Sequence, residues 1–334
     1  LAHGGGGKAM RDLVEDVFVA EFRTEATGDM EDQARLQSDA LREPGARLAF
    51  TADSFVVDPL EFPGGDIGTL AIHGTVNDLA VGGARPLWLS AAFIIEEGVE
   101  TALLRRVARS MRSAADEAGV AIVTGDTKVV GRGSADKLFV STSGVGIIPP
   151  GRDLAARRIR PGDVAIVNGV LGDHGATILA ARGDLALDSD VRSDTRPLNG
   201  LMEATLAAAP GVRAARDATR GGLASALNEM AAAAGVGVEI DEAAIPMRPE
   251  VRGVCEILGL DPLYLANEGA LVLFVPADQA DAALAAMRAD AAGREATAIG
   301  RAVAGHPGVV TMMTALGGSR IVDMLVGEQL PRIC

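Results

Sequence analysis

Cysteine is scarce in this chain, which contains only two in 334 residues, Cys255 and Cys334. Because no C-x-x-C pair occurs, the sequence excludes a disulfide framework and a structural zinc site built from thiolates. Cys255 lies in the helix-like stretch VRGVCEILG and is predicted to be a small buried hydrophobic residue. Cys334 is terminal, so we expect a mobile and reachable thiol, because no later backbone pairs with such a residue.

Long apolar runs and basic patches are also absent. The longest apolar run, LWLSAAFII at Leu87 to Ile95, is too short to cross a bilayer. No signal-peptide pattern is seen, and we expect a cytoplasmic protein. The formal net charge of −14 repels phosphate backbones, and no Lys and Arg stripe is interleaved with aromatics, so we expect no nucleic-acid partner. Aromatic residues make up only 3% of the chain, which predicts an aliphatic core.

The length and the hydrophobic content of 48% predict two domains of mixed α/β structure. Strand-like runs alternate with helical ones such as ETALLRRVARSMRSAADEAG, whose apolar residues recur at three- and four-residue spacings. The stretch PPGRDLAARRIRPGD, at 149–163, has no apolar periodicity, and we place the domain boundary there. We predict an N-terminal α/β domain at 1–150, a C-terminal α/β domain at 151–326 and a tail at 327–334.

Two features suggest a nucleotide site with a divalent metal ion. HGGGG, at 3–7, offers unobstructed backbone amides that can wrap phosphate oxygens, although a flexible terminal linker is the alternative. Acidic residues recur where strands meet turns or helices, and Mg²⁺ prefers carboxylates from separate segments beside phosphates. These acids are Asp53, Asp66, Asp78, Asp126 and Asp217. Each of them alone is more often a helix cap or a turn residue. With neither G-x-x-x-x-G-K-[ST] nor G-x-G-x-x-G after a strand, the site is predicted to be neither a P-loop nor a dinucleotide fold.

Other side chains are candidates for chemistry. Lys128, directly after GDT, would neutralise phosphate charge or tune a nearby carboxylate, or would simply lie in solvent. Glu268 in LANEGAL is flanked by apolar residues, and partial burial would raise its pKa and suit it to proton transfer; a capping or solvated glutamate is the alternative. The histidines His73, His174 and His306 show no metal-ligand spacing, so a structural role is expected for them.

Seven motifs occur in an order that resembles the hydrogenase maturation protein HypE family, from His3 to Cys334. They are HGGGG, DSFVVDPLEFPGGDIG, GTVNDLAVGGARP, TGDTKVVGRG, DATRGGLASALNE, CEILGLDPLYLANEG and the closing GEQLPRIC, whose PRIC is the most specific element. That family is similar in turn to aminoimidazole ribonucleotide synthetase and selenophosphate synthetase. The resemblance therefore implies an α/β (α+β) fold of the two-domain aminoimidazole ribonucleotide synthetase type, followed by a mobile C-terminal tail.

The resemblance implies a reaction at Cys334. The partner HypF would place a carbamoyl group on this cysteine, and ATP would drive dehydration of the S-carboxamide to a thiocyanate. The cyano group would then pass through the HypC and HypD complex to the iron of [NiFe] hydrogenase. Phosphorylation turns the amide oxygen into a leaving group, and Glu268 with Lys128 are the candidates for the base that removes the nitrogen protons.

The resemblance also implies a site for ATP and Mg²⁺ and a homodimer. The implied nucleotide-binding residues are His3, Gly4, Gly5, Gly6, Gly7, Asp53, Asp66, Asn77, Asp78, Asp126 and Thr127. The implied metal ligands are Asp53, Asp78, Asp126 and Asp217. The homodimer would form through the first domain, whose strands near Phe50 and Phe139 would otherwise expose apolar edges.

Two other functions remain open on the sequence. One is a nonenzymatic carrier, in which Cys334 binds iron or nickel and ATP only orders the protein. The other is an ATP-dependent synthetase that acts on a free small substrate, with the tail as a mere terminus.

Overall fold

Two β-sheets with helices packed against them organise the chain. The computed structural model describes residues 3, 7–24, 33–183, 190–325 and 332–334. The strands in these ranges are β1 (Arg47–Phe55), β2 (Glu61–Phe62), β3 (Gly65–Asp66), β4 (Arg85–Glu96), β5 (Ala121–Val130), β6 (Leu138–Ile148), β7 (Val164–Val167), β8 (Ala214–Asp217), β9 (Gly237–Asp241), β10 (Leu271–Val275), β11 (Thr297–Val303), β12 (Val310–Met313) and β13 (Ser319–Val322). The predicted mixed α/β class is confirmed.

The helices begin with α1 (Lys8–Leu13) and α2 (Ala20–Phe22), which are joined by the π-helical turn Val14–Val19. The others are α3 (Ile67–Val81), α4 (Thr101–Ala118), α5 (Asp173–Ala181), α6 (Asn199–Ala208), α7 (Gly222–Ala234), α8 (Pro249–Leu258) and α9 (Ala280–Ala289). No helix in the described ranges is long and apolar enough to cross a membrane.

The N-terminal sheet has the strand order β1-β6-β4-β5. β6 pairs antiparallel with β1 and β4, and β5 pairs parallel with β4. α3 packs on one face of this sheet and also contacts α6 and β8 of the C-terminal half. This helix is apolar on nearly every side, a pattern that is stable only where the helix is surrounded. α3 is therefore the element at which residues of both halves meet.

The opposite face of the N-terminal sheet is open. Residues that pair directly across neighbouring strands point to the same side of a sheet, and by this pairing Phe50, Ile94 and Phe139 share one face. We call this surface the open face; Phe50 is 72% exposed there and Ile94 is 42% exposed. Asp126 and Lys128 of β5 lie on the same side, as their pairing with β4 shows.

The C-terminal sheet has the strand order β13-β12-β9-β11-β7-β10-β8. β10, with the sequence LVLFV, is buried along its whole length because its alternate side chains enter two different cores. Val272 and Phe274 pack with α7, whereas Leu271, Leu273 and Val275 pack with α6 and α9. The two large sheets fall on opposite sides of residue 150, and the domain boundaries themselves stay a prediction.

Candidate active site

Three of the predicted aspartates line one cavity of about 220 Å³ where the two halves of the chain meet. Asp53 comes from β1, Asp78 from α3 and Asp217 from the end of β8. α3 contacts both of these strands, so three segments that are distant in sequence bring their carboxylates together. Arg216 and Arg220 line the same cavity.

The cavity concentrates negative charge. Burial raises the pKa of Asp217 to about 7, and the charges of Asp78 and Asp53 add to this shift. Burial also raises the pKa of Asp78, although Thr51 Oγ1 donates a 2.7 Å hydrogen bond to its carboxylate. Burial raises the pKa of Asp53 against the opposing charge of Arg220. A cation bound among these acids would favour their ionised forms.

Magnesium fits this chemistry, but only with ligands from a nucleotide. Within the described ranges, no three His, Cys, Asp or Glu side chains lie close enough together to hold a metal ion. At nucleotide sites Mg²⁺ usually takes one or two carboxylates and fills its shell with water and phosphate oxygens. One or two of Asp53, Asp78 and Asp217 can meet that requirement, and a bound cation would relieve the repulsion among their charges.

Glu268 lies close to these aspartates and is only 3% exposed. Burial raises the pKa of its carboxyl well above the ordinary value, and the charges of Asp194, Asp217 and Asp53 raise it further. The Asp194 carboxylate accepts hydrogen bonds from the backbone N–H groups of Glu268 (3.0 Å) and Gly269 (2.9 Å). Oε1 of Glu268 has no hydrogen-bond partner in the part of the chain that the structure describes. The expected burial is observed, and the catalytic role stays a prediction.

The terminal thiol is docked against this carboxylate. The Cys334 thiol lies next to the Glu268 carboxyl, and the pKa of the thiol is raised well above its ordinary value, first by burial and then by the charge of Glu268. The Cys334 carbonyl accepts a 3.0 Å hydrogen bond from the N–H of Val56. In this structure the terminal residue thus has partners far away in sequence, and the mobility of the tail stays a prediction. Residues 327–331 of the predicted tail lie outside the described residues.

Asp66 has a structural role. Its carboxylate accepts a 2.8 Å hydrogen bond from the N–H of Thr69 and so caps the first turn of α3. The same carboxylate accepts a 2.7 Å hydrogen bond from Ser110 Oγ. Both hydrogen bonds go to Oδ1, so Asp66 caps the helix, and its role in nucleotide binding stays a prediction.

Asn77 also has a structural role. It is 2% exposed, and its amide donates hydrogen bonds to the backbone carbonyls of Arg196 (3.1 Å) and Glu268 (3.4 Å). Its side-chain carbonyl oxygen accepts a 2.7 Å hydrogen bond from the N–H of Leu198. Asn77 thus ties α3 to the loop that carries Glu268, which argues against direct contact with a nucleotide.

The GDTK motif lies away from the aspartate cavity. Lys128 Nζ is 3.4 Å from the Asp126 carboxylate, and the lysine side chain is 69% exposed on the open face. Asp126 and Thr127 line a second cavity of about 300 Å³, together with Phe18 and Phe22 from the N-terminal helices. Asp126 is not among the residues that line the aspartate cavity, and the roles of Asp126, Thr127 and Lys128 with the nucleotide stay predictions.

The glycine-rich stretch is described only at its two ends. His3 is exposed, and Gly7 is the N-cap residue of α1. Gly4, Gly5 and Gly6 lie outside the described residues. The phosphate lid therefore stays a prediction.

The predicted core roles of Cys255 and His73 are confirmed. Cys255 is 2% exposed, and burial raises the pKa of its thiol to about 11. His73 is buried on α3, where burial lowers its pKa to about 4 and Nδ1 lies 3.0 Å from Thr195 Oγ1. Neither side chain belongs to the aspartate cavity.

Three residues contribute to the site beyond those that the sequence predicts for it. The charge of Arg220 lies near both Asp53 and the Cys334 thiol. Its position in DATRGG, three residues after Asp217, is the sequence signal from which it could have been predicted. Asp194 and His174 offer no comparable signal, because each acts through a contact that only the folded chain creates.

The comparisons with known proteins agree with this architecture. The family model described as AIR synthase related protein, N-terminal domain, matches residues 30–148, and the model of the C-terminal domain matches residues 160–312. Carbamoyl dehydratase HypE of Rhodobacter capsulatus is 72% identical over 334 residues, covering 100% of this chain and 97% of that protein. A crystal structure of hydrogenase maturation protein HypE in complex with ATP has a TM-score of 0.94 and 47% identity, covering 100% of this chain and 99% of that chain. A crystal structure of a HypE-HypF complex has a TM-score of 0.81 and 44% identity, covering 94% of this chain and 99% of that chain.

The two matching domain models define a protein of the AIR synthase related class. Within that class, the chain belongs to the carbamoyl dehydratase HypE family. The resemblance read from the motifs is confirmed, as is the two-domain fold. The prediction of an enzyme of hydrogenase maturation that carries out an ATP-dependent dehydration is confirmed as well.

Proposed function

We propose that this chain dehydrates an S-carboxamide carried on its own Cys334 and leaves a thiocyanate there. The observation that carries the proposal is the docking of the terminal thiol against the buried carboxyl of Glu268. Burial next to an acid disfavours the thiolate, so this position does not suit a cysteine that must attack or bind a metal while docked. It suits a sulfur that has already been acylated elsewhere and is brought to a proton acceptor.

The dehydration can be written with its atoms in balance. The carboxamide oxygen takes the γ-phosphoryl group of ATP, ADP leaves, and the nitrogen gives up its first proton to form an iminophosphate. Phosphate then leaves with its oxygen as the nitrogen gives up its second proton, and the C≡N bond forms. Carbamoylation replaces the thiol hydrogen next to Glu268, and Oε1 of Glu268 has no partner among the described residues, so the ionised carboxylate can accept N–H protons. A carboxylate with a raised pKa is the stronger base once it is ionised.

ATP would enter the aspartate cavity, beside the docked tail. One or two of Asp53, Asp78 and Asp217 would hold the Mg²⁺ of the nucleotide, and the ion would offset the charge between these acids and the triphosphate. Arg220 acts on both Asp53 and the thiol, so it would face the phosphoryl group during transfer. The glycine-rich stretch at 3–7 would cover the phosphates. The ATP complex of the related HypE supports this assignment of the nucleotide.

A homodimer would cover the open face. The exposed side chains of Phe50 and Ile94 give this face an apolar surface that a second copy of the sheet could bury. Asp126 and Lys128 share this face, so in a dimer both residues would approach the partner. Their predicted roles with the phosphates are then roles at the interface between protomers.

The docked tail limits when partners can act. HypF would carbamoylate Cys334 only after residues 332–334 have left their position beside the segment 56–58. The HypC and HypD complex would likewise collect the cyano group from an undocked tail. The structure of a related HypE with HypF supports the first of these partnerships. The cytoplasmic location stays a prediction.

Mass spectrometry of the C-terminal peptide tests the proposed function. A chain first carbamoylated by HypF and then purified should carry the carbamoyl group on Cys334, and should lose one water when ATP and Mg²⁺ are added. Cys255→Ala is the matched control and should show both changes. A carbamoyl group on Cys255, or no loss of water with ATP, would overturn the proposal.

The two alternatives predict other outcomes of the same experiment. A nonenzymatic carrier would show neither mass change and would bind iron or nickel through Cys334. A synthetase for a free small substrate would keep its ATP turnover with that substrate after Cys334→Ala.

A further inference from the structure

The main chain of the last three residues pairs with the segment that follows β1. The N–H of Val56 donates to the carbonyl of Cys334 (3.0 Å), and the N–H of Asp58 donates to the carbonyl of Arg332 (3.2 Å). Between these bonds, Ile333 forms an antiparallel β-bridge with the same segment. The tail is thus held as a short added strand, the mode in which many proteins bind extended peptides.

Helix α5 and the residue that follows it each supply one side chain that binds the same main chain. Nε2 of His174 lies 2.7 Å from the Ile333 carbonyl, and Nδ1 lies 2.8 Å from Ser193 Oγ. A carbonyl only accepts hydrogen bonds, so Nε2 carries the hydrogen and Nδ1 accepts from the hydroxyl group. Arg182, directly after α5, donates a 2.7 Å hydrogen bond to the carbonyl of Arg332. Each carbonyl of the tripeptide therefore has a donor from the groove.

The environment of His174 keeps the ring in this donating form. The side chain is fully buried, and burial lowers its pKa to about 4, so the neutral ring persists at physiological pH. The ring of Phe62 meets the imidazole edge-on at a centroid distance of 5.6 Å. A ring held from two sides and through both nitrogens fixes the position of the carbonyl that it contacts.

The groove also distinguishes the side chains of the tripeptide. Ile333 is 4% exposed and joins the hydrophobic core that includes Ile178 of α5. The guanidinium of Arg332 lies 3.7 Å from the Asp58 carboxylate and 3.4 Å from that of Asp136. An apolar residue is thus required in the middle position, and a cation is favoured before it.

We propose that the segment 56–58 together with α5 forms a binding site for an extended C-terminal tripeptide of the type Arg-Ile-Cys, and that His174 is the positioning residue that sets how far the cysteine enters. His174 contacts the Ile333 carbonyl and not the sulfur, so it acts on the chemistry only through the tail. The positioning role rests on the proposed function, because it concerns the placement of Cys334 at Glu268. The binding of the tripeptide can be measured without any turnover.

Two protection assays on the full chain test this site. In one, iodoacetamide alkylates Cys334; in the other, trypsin cleaves after Arg332 and releases the dipeptide Ile-Cys. His174→Leu removes the donor, and the loss of one buried hydrogen bond should speed both reactions roughly five- to tenfold. His174→Gln keeps an N–H donor at a similar reach and should restore most of the protection. Thr177→Val is the matched control and should behave as wild type. Thr177 lies one turn further along α5, is as deeply buried as His174, and has a hydroxyl group without a partner among the described residues.

The same variants separate positioning from general damage to the fold. In His174→Leu the dehydration step should slow by a similar factor, while carbamoyl transfer by HypF and ATP affinity should not fall. Equal protection in wild type and a folded His174→Leu would overturn the inference, as would failure of His174→Gln to restore protection.

Two further variants cover the case in which His174→Leu does not fold. Arg182→Gln removes the donor to the Arg332 carbonyl, and Ile333→Ala removes apolar contacts of the tail, so each should weaken tail binding. Unchanged protection of Cys334 in both variants would overturn the inference. A chain that protects Cys334 in this pattern yet never accepts a carbamoyl group would refute the proposed function and leave the tripeptide site standing.

Discussion

Replacing Asp217 by Asn should stabilise the protein without nucleotide at neutral and higher pH. In the folded chain the pKa of this carboxyl is raised from 3.8 to about 7, first by burial and then by the charges of Asp78 and Asp53. Below the unfolded value both states hold the proton, so wild type and variant have similar stability. Between the two values the unfolded chain ionises first, and wild type loses stability as the pH rises. A difference of about three pKa units corresponds to about 4 kcal/mol, which is the gain expected for Asn above about pH 7.

Urea unfolding near pH 5 and pH 8, with and without Mg²⁺ and ATP, measures this effect. The gain should be about 1.6 kcal/mol near pH 5 and about 4 kcal/mol near pH 8, and it should shrink when the nucleotide and its metal ion support the ionised aspartate of the wild type. Glu229→Gln is the matched control, because this acid lines the same cavity but is ion-paired with Arg216 and substantially exposed. Its effect should stay within about 1 kcal/mol at both pH values. An Asp217→Asn protein no more stable than wild type at pH 8 would refute the reasoning.

Three other substitutions test the rest of the site. Glu268→Gln should accept the carbamoyl group but dehydrate it roughly 100- to 10,000-fold more slowly by mass spectrometry, and a rate within about tenfold of wild type would contradict the role as base. Cys334→Ser should lose carbamoyl acceptance while calorimetry shows unchanged ATP affinity, whereas Cys255→Ala should keep both reactions and only lower the melting temperature; the reverse pattern would exchange the two cysteines. Phe50→Asp should place a charge on the open face and give a monomer near 34.2 kDa by light scattering, and a persisting dimer would argue for another interface.

Elements with strong local patterns are predictable from the sequence, and those that depend on pairing are not. ETALLRRVARSMRSAADEAG predicts the observed helix α4 (Thr101–Ala118), because its apolar residues fall on the face that packs against the core. KLFVSTSGVGII likewise predicts β6 (Leu138–Ile148). By contrast, AARD carries no apolar alternation, and β8 (Ala214–Asp217) is held in place by its pairing with β10. The carboxylate of Asp217 therefore reaches the site through a contact that the local sequence does not encode.

The residue types of the site are visible in the sequence, but their convergence is not. Asp66 resembles the cavity acids in composition, yet it stands three residues before Thr69 at the start of an apolar helix, which is the spacing of a capping box and could have separated it. Asp126 differs from the cavity acids because its side chain lies on the open face of the N-terminal sheet. Only the pairing of β5 with β4 determines which face that is. The docking of the tail could not be predicted for the same reason, because its partners Val56 and His174 lie far from Cys334 in sequence.

The groove that holds the tail has a kinetic consequence. A carboxamide attached to the enzyme's own chain meets the nucleotide in an intramolecular event, so on the proposed function the dehydration is first order in enzyme and does not slow on dilution. Saturation would be seen for ATP but not for the carboxamide, which has no independent concentration. A tether of this kind typically presents its end at a millimolar effective concentration. A free thiocarbamate offered as a competitor would therefore need to exceed millimolar levels before it displaced the docked Cys334.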